Sequence, residues 1–293
     1  MTHKQDAPSM HFPLPGWQVV EATGVDACAF LQAQLMNDVG ALQPGHWQWN
    51  GWLNPKGRII ALCALLALES DRFWLVVPDF PARELATRLQ RYVFRSKVAL
   101  HVRSELVGRG SFTSPQHARG SIIGRQGAAI GERVELDIGS DKNPRTLRIN
   151  TQTPEENGLM ATPDDGPAKA WLAFDLAHGI PRLALEQSEA WTPQMLSLDR
   201  INAYSLKKGC YPGQEIVART HYLGQAKRGL VRIMGAGVRV AAEIRCGERV
   251  VGTILNCINS EALAVLGVER PFDGWTCAGS PCEELPLLGG MER

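Results

Sequence analysis

Apolar and polar residues alternate through Trp47-Gln48-Trp49-Asn50, and an almost unbroken apolar run follows from Ile59 to Leu68. Asn54-Pro55-Lys56-Gly57 lies between them. A period of two on either side of a Pro/Gly turn predicts a β-hairpin. Trp17 to Glu21, ended by Thr23-Gly24, and Phe73 to Val77 predict two more strands. A helix is expected from about Val25, with Asp26 in its first turn and Ala29, Phe30, Leu31 and Leu35 on one face, until Asn37-Asp38 breaks it. Pro81 to Arg95 predicts an amphipathic helix. Leu85, Leu89, Tyr92 and Val93 form its apolar stripe, and Arg83, Arg88, Arg91 and Arg95 read as a solvated face.

Residues 97–150 read as short strands broken by Gly, Ser and Pro, and the polar stretch 151–166 as a connection. Ala168 to His178 predicts a helix stopped by Gly179-Ile180-Pro181, and the pattern then weakens between Leu183 and Leu206. From Gly229 four short β-rich runs follow, Leu230 to Met234, Val238 to Cys246, Arg249 to Asn256 and Ala262 to Val268. They predict a small all-β domain, most simply a barrel, with roughly the last 20 residues as an irregular tail. The expected division is 1–225 and 226–293.

Composition narrows the class. The 293 residues suffice for two or three domains, and 44% hydrophobic with 21% charged residues is the balance of a soluble globular protein. With 31 Lys and Arg against 30 Asp and Glu, no broad field exists to hold nucleic acid or a membrane surface. No apolar run approaches the ~20 residues of a membrane helix, and Met1 to Pro8 lacks the apolar segment of a secretion signal. The seven cysteines include no C-x-x-C pair, which favours a reducing compartment over disulfides or a zinc site. A cytoplasmic monomer is the expectation.

One cysteine stands apart. Cys210 sits in Lys207-Lys208-Gly209-Cys210-Tyr211-Pro212-Gly213-Gln214-Glu215, between a glycine and a Tyr-Pro-Gly turn instead of among apolar neighbours. Gln214 to Arg219 reads as a short helix, with Glu215 in its first turn and Arg219 in its last. Cys210 is therefore expected just before a helix N-terminus, beside two ammonium groups, both of which favour thiolate over thiol. His221 is close enough in sequence to assist.

The run from Lys207 to Glu215, with Pro212 as its variable position, resembles the signature of the YgfZ family of folate-binding, iron–sulfur-cluster proteins, which is itself similar to the aminomethyltransferase (T-protein) of the glycine cleavage system. Phe30 to Val39, Asn54-Pro55-Lys56-Gly57-Arg58, Trp171-Leu172 with Gly179-Ile180-Pro181, and Ala218-Arg219 followed by Gly224 and Lys227-Arg228 extend the resemblance over most of 15–270. It implies an α+β fold of three domains in a ring around a central hole, the first two interwoven and the third a β-barrel. It also implies tetrahydrofolate or a derivative as cofactor. Trp17 and Trp171 resemble the family's folate-contacting tryptophans, and Lys208, Arg219 and Arg228 are candidates for the folate carboxylates. The motif residues Lys208, Gly209, Cys210, Tyr211, Gly213, Gln214 and Glu215 would form the reactive site, with Cys210 as the thiol and as a transient cluster ligand.

The departures bear on the reaction class. T-proteins carry a G-G-x-x-D-D pattern at the hairpin, where this chain has Gly57-Arg58-Ile59-Ile60-Ala61. The glutamate they place two residues before the glycine matching Gly179 is Ala177 here. Neither Ile nor Ala can accept a proton, so aminomethyl chemistry lacks its base. The implied function is an accessory factor for assembly or repair of iron–sulfur clusters, including those of tRNA-modifying radical enzymes, acting on cluster proteins or assembly factors. The alternative is a folate-dependent one-carbon transferase or demethylase with a relocated base.

Overall fold

The computed structural model describes residues 11–114, 122–125, 133–151, 166–224, 226–271 and 274–289; only the backbone of 122–125 is included. The connection expected over 151–166 and the segment Met1 to Pro8 lie almost wholly outside these residues. Numbered in chain order, β3 (His46–Leu53) and β4 (Ile59–Glu69) form the expected hairpin. With β5 (Arg72–Pro78), β2 (Trp17–Thr23) and β6 (Ala99–Val102) they make an antiparallel sheet in the order β3-β4-β5-β2-β6. The unbroken apolar character of β4 now has its reason. Ile59, Leu62, Ala64 and Leu66 enter one core while Ala61, Cys63, Leu65 and Ala67 enter another, so both faces are covered.

Helices α1 (Ala27–Gln34) and α2 (Ala82–Gln90) lie over the second of those cores. α2 ends five residues before the expected Arg95. The N–H groups of Arg91, Tyr92 and Val93 turn back to the carbonyls three residues earlier, tightening the chain out of α geometry and leaving Phe94 exposed.

The first core is shared with a second antiparallel sheet, β1-β7-β10-β9-β8, formed by β1 (Phe12–Leu14), β7 (Leu106–Ser111), β10 (Thr146–Thr151), β9 (Arg133–Asp137) and β8 (Ile122–Arg125). Helix α3 (Gly166–His178) contributes Trp171 and Leu176 to the same core.

The C-terminal strands close into a barrel, β11-β14-β13-β12-β15-β16. Four of them, β11 (Arg228–Gly235), β12 (Glu243–Cys246), β13 (Arg249–Ile258) and β14 (Glu261–Gly267), answer the four predicted runs. β12 is shorter than expected because Ala241 takes a left-handed φ of 64° before it. The expected irregular tail is a correction: β15 (Trp275–Cys277) and β16 (Ser280–Leu285) close the barrel. Strands this short, turned by Ala278-Gly279 in left-handed geometry, carry too few alternations to show in the sequence. Ala262, Ala264 and Leu266 of β14 fill the barrel, while Leu263 and Val265 face the shared core.

The segment after α3 joins the units. Asn256 of β13 accepts from the backbone N–H of Arg182 at 3.0 Å and donates to its carbonyl at 2.7 Å. Further on, Glu189 N–H donates to the Ile59 carbonyl and Ile59 N–H to the Trp191 carbonyl, which fastens the same segment to β4. The Arg182 guanidinium meets Asp79, at the end of β5, at 2.5 and 2.9 Å, and reaches Asp175 of α3 at 3.8 Å. Asp175 in turn pairs with the buried Arg145 at 2.8 Å, whose guanidinium lies 3.9 Å from the ring centres of both Trp171 and Phe174. Burial raises the Asp175 carboxyl above its ordinary range, opposed by the Arg145 and Arg182 charges.

Replacing Asp175 by Asn leaves Arg145 buried without its carboxylate, a loss expected to cost about 3–5 kcal/mol. Urea unfolding with an unchanged m-value measures it, and the double variant Arg145→Met with Asp175→Leu should recover much of the deficit.

Candidate functional site at the cysteine loop

The loop carrying Cys210 is held by neighbours on both sides. Helix α4 (Gln214–Tyr222) is preceded by Gly213 at φ 77°, a left-handed position that glycine fills without strain. A Cβ on Gly213 would lie 2.6 Å from the Gly57 Cα and 2.6 Å from the Asn54 carbonyl oxygen. A Cβ on Gly57 would lie 2.8 Å from that of Ile216. The hairpin turn and the cysteine loop therefore touch glycine to glycine, although 156 positions separate residues 57 and 213. Asn54 shapes the turn by accepting from Lys56 and Arg58 N–H through its side-chain oxygen, and it donates to Glu189 at 2.7 Å.

Lys208 turns inward. Its ammonium donates to the carbonyls of Gln32 (2.6 Å), Leu35 (2.6 Å) and Asn37 (3.0 Å), the ends of backbone left open where α1 stops. A cation there also suits the helix dipole. The sequence expectation of two ammonium groups beside the thiol is thus corrected. Lys207 is exposed, but Lys208 has given all three N–H groups to α1 and none remains for a thiolate or a folate carboxylate.

The rest of the loop closes on itself. Gln214 donates to the Lys208 carbonyl at 3.1 Å, and the buried Tyr211 donates through its hydroxyl to Ser205 at 3.3 Å. Cys210 stands out from this frame, exposed, beside a Gly209 around which a Cβ would meet nothing within 4 Å. Glu215 is also exposed, at the start of α4. The remaining sequence candidates are placed elsewhere. His221 lies in the last turn of α4, about 10 Å along the axis from its start at 1.5 Å per residue, with its ring edge-on to Tyr222, and no hydrogen bond joins it to Cys210 among the described residues. Arg219 is exposed on α4 and Arg228 is exposed at the start of β11.

Trp17 and Trp171 are both buried in the shared core. The Arg182 guanidinium lies 5.4 Å from the ring centre of Trp17, and Gly108 packs against that residue's Cβ. Trp171 has Arg145 on its ring and the edge of Phe12 against it. Neither indole offers an open face for stacking. Both indole N–H groups, however, lack an acceptor among the described residues. Among those residues, no hydrogen bond, ion pair or ring contact joins either tryptophan to Cys210, and no group of three or more His, Cys, Asp or Glu is placed to hold a metal. Ile59, Ile60 and Ala61, the apolar residues that follow the hairpin turn, are buried.

Several supporting residues escape a sequence reading. Asn37 donates to the Trp49 and Asn202 carbonyls, and Asn50 accepts from Asn37 and Gly51 N–H, fixing the chain just after α1. Gln32 accepts from Val39 and Gly40 N–H and donates to Asp38. For Gln32, Asn37 and Asp38 the one sequence signal was their position in the Phe30–Val39 motif, whose carbonyls are the seat of Lys208.

Three motifs far apart in sequence thus meet around one exposed thiol, and relatives share this chain's length. Over 269 residues it is 28% identical to an uncharacterized protein of Haemophilus influenzae, covering 89% of this chain and 88% of that one. Over 272 residues it is 26% identical to the tRNA-modifying protein YgfZ of Yersinia pseudotuberculosis, covering 84% and 79%, and equally to that of Yersinia pestis. Over most of its length the chain is thus similar to proteins of the YgfZ family. No family-wide sequence model matches it. The glycine cleavage system aminomethyltransferase T of Bartonella henselae superposes with a TM-score of 0.70 at 14% identity, over 96% of this chain and 86% of that one, and so shares its fold. The expected α+β, T-protein-like architecture with a C-terminal barrel is the one observed. No described helix is long and apolar enough to cross a membrane.

Burial brings the Lys208 ammonium down to about 8 from 10.5, against an opposing pull from Asp38. At neutral pH it keeps its proton and its three carbonyls, at the cost of a charge held away from water. Because the folded value lies below the unfolded one, Lys208's contribution to stability is complete above about 10.5 and is lost as pH falls through about 8. The stability difference between wild type and Lys208→Met should therefore widen as pH rises from 8 to 10.5, as read from urea midpoints at constant ionic strength; parallel curves would contradict the assignment.

Proposed function

We propose that this YgfZ-like chain is a tetrahydrofolate-binding accessory factor for iron–sulfur cluster proteins, including tRNA-modifying radical enzymes, and that Cys210 is its reactive group. The observation that carries this reading is an exposed sulfur on a loop held by Lys208, Gln214 and the Gly57–Gly213 contact. A sulfur buried in a pocket would serve a small substrate; one displayed on a fixed loop suits another protein. A thiolate is a natural ligand for cluster iron, and on giving up its proton to solvent Cys210 would supply one such bond. The remaining ligands would come from the partner, because the described residues assemble no ligand group of their own.

A reduced folate that reached Trp17 and Trp171 would meet their N–H groups instead of an open ring face. Among the described residues the Trp17 and Trp171 N–H groups, like those of Trp49, Trp52 and Trp191, are buried donors without acceptors, and a pterin carries acceptors on its edge. The folate would present one-carbon or reducing chemistry. This chain's residues would orient it, and the apolar run Ile59-Ile60-Ala61 after the hairpin turn would offer no group to move a proton. That absence weighs against the one-carbon transferase alternative.

In cells whose single copy carries Cys210→Ser, cluster-dependent tRNA thiolation should fall to the level of the deletion strain, while the purified variant keeps the wild-type melting temperature. Normal thiolated tRNA in that strain would reduce the chain to a scaffold with an inert cysteine.

A further inference from the structure

A cleft of about 500 Å³ opens at the end of the barrel where β11 begins, lined by Lys227, Arg228, Arg249, Val250, Val251 and Val268, with Glu269 beside them. The volume falls in the range of small-molecule sites. Its cations differ from several others of the same barrel. Arg232, Arg245 and Arg270 of the same barrel each hold a carboxylate, Glu261, Glu243 and Glu284. Among the described residues, the side chains of Lys227, Arg228 and Arg249 make no such pair. Three cations against the single acid Glu269 leave an excess of two positive charges, on a protein whose formal net charge is +1.

The strands fix where those charges stand. Arg228 lies opposite Gly267, and Val268 N–H donates to the Lys227 carbonyl at 2.9 Å, so the first residues of β11 are tied to the end of β14. Val250 and Val268 are half exposed and give the cleft an apolar wall between its cations. One-sign charge held in a concave surface raises the local concentration of counter-ions. An apolar wall between separated cations matches a chain in which carboxylates alternate with methylene pairs. A compact phosphate would leave the valines unused.

We infer that this cleft binds an oligo-carboxylate chain of the γ-glutamyl type, such as the extended tail of a polyglutamylated folate. This rests on the folate reading above and adds to it a tail site on the barrel with a preference for more than one glutamate. Two additional exposed ion pairs correspond to roughly a fivefold to tenfold gain in affinity at low salt, fading as ionic strength rises.

The test is titration calorimetry of the full chain with tetrahydropteroyl mono- and triglutamate, for wild type and for Lys227→Gln with Arg249→Gln. The expected result is a triglutamate preference of about that size in wild type, with a ratio near one in the variant. Equal affinity for the two ligands in wild type, or a preference that survives the double substitution, would overturn the inference. A free tri-γ-glutamate peptide separates the two readings. If tetrahydrofolate itself does not bind but the peptide shifts the NMR signals of Val250, Val251 and Val268, the folate reading fails and the cleft stands. If folate binds and the peptide moves none of those signals, the cleft fails alone.

Discussion

Arg182 is the point at which the three units of this protein become one. Its side chain holds Asp79 from the first sheet and faces Asp175 from α3, and its own backbone is clasped by Asn256 of the barrel. A guanidinium can do this because its donors leave in fixed, divergent directions and its charge does not titrate away. Behind it, Arg145 and Asp175 are taken wholly out of water, an arrangement that is tolerable only because aromatic faces and carbonyls surround the guanidinium. The shared apolar core has the same composition of three parts, with residues from both sheets, α3 and the outer face of the barrel. Polar junction and apolar core therefore enforce one arrangement between them.

The cysteine loop depends on that arrangement indirectly. Its supports come from α1, from the β3–β4 turn and from the segment after Arg182, so it is positioned only when these have met. Lys208 illustrates the economy of the loop: a residue two places from the thiol completes a helix that begins almost two hundred residues earlier. The reactive character sought in neighbouring charge must then come from Lys207, from the start of α4, or from the partner. What the fold itself supplies is exposure and a fixed direction.

Much of this could be read from residue order. The hairpin, the β2 and β5 strands, α1, α3 and α4 follow from periodicity and from Gly, Pro and Asn punctuation, because each is decided by local rules. The barrel was legible from four alternating runs, but not its closing strands, which are too short to show a period. Lys208 was misread for a physical reason. A Lys-Lys-Gly sequence carries no mark of whether a lysine faces solvent or a distant helix end, and only tertiary contact decides it. Likewise Trp171 and Arg145 lie 26 positions apart, and nothing along the chain announces that one will lie on the other. The polar, glycine-flanked setting of Cys210 along the chain agrees with its exposure, a match that needs no long-range information.

The contact between Gly57 and Gly213 has an evolutionary corollary. A Cβ on Gly213 would run into Gly57 and the Asn54 carbonyl, one on Gly57 would run into Ile216 at the start of α4, and each position also sits in the left-handed region. A lineage that remodels the β3–β4 turn would therefore release the constraint on the cysteine loop at the same stroke. The two glycines should be kept or abandoned together, so descendants that have lost one offer a natural record of when the thiol ceased to matter.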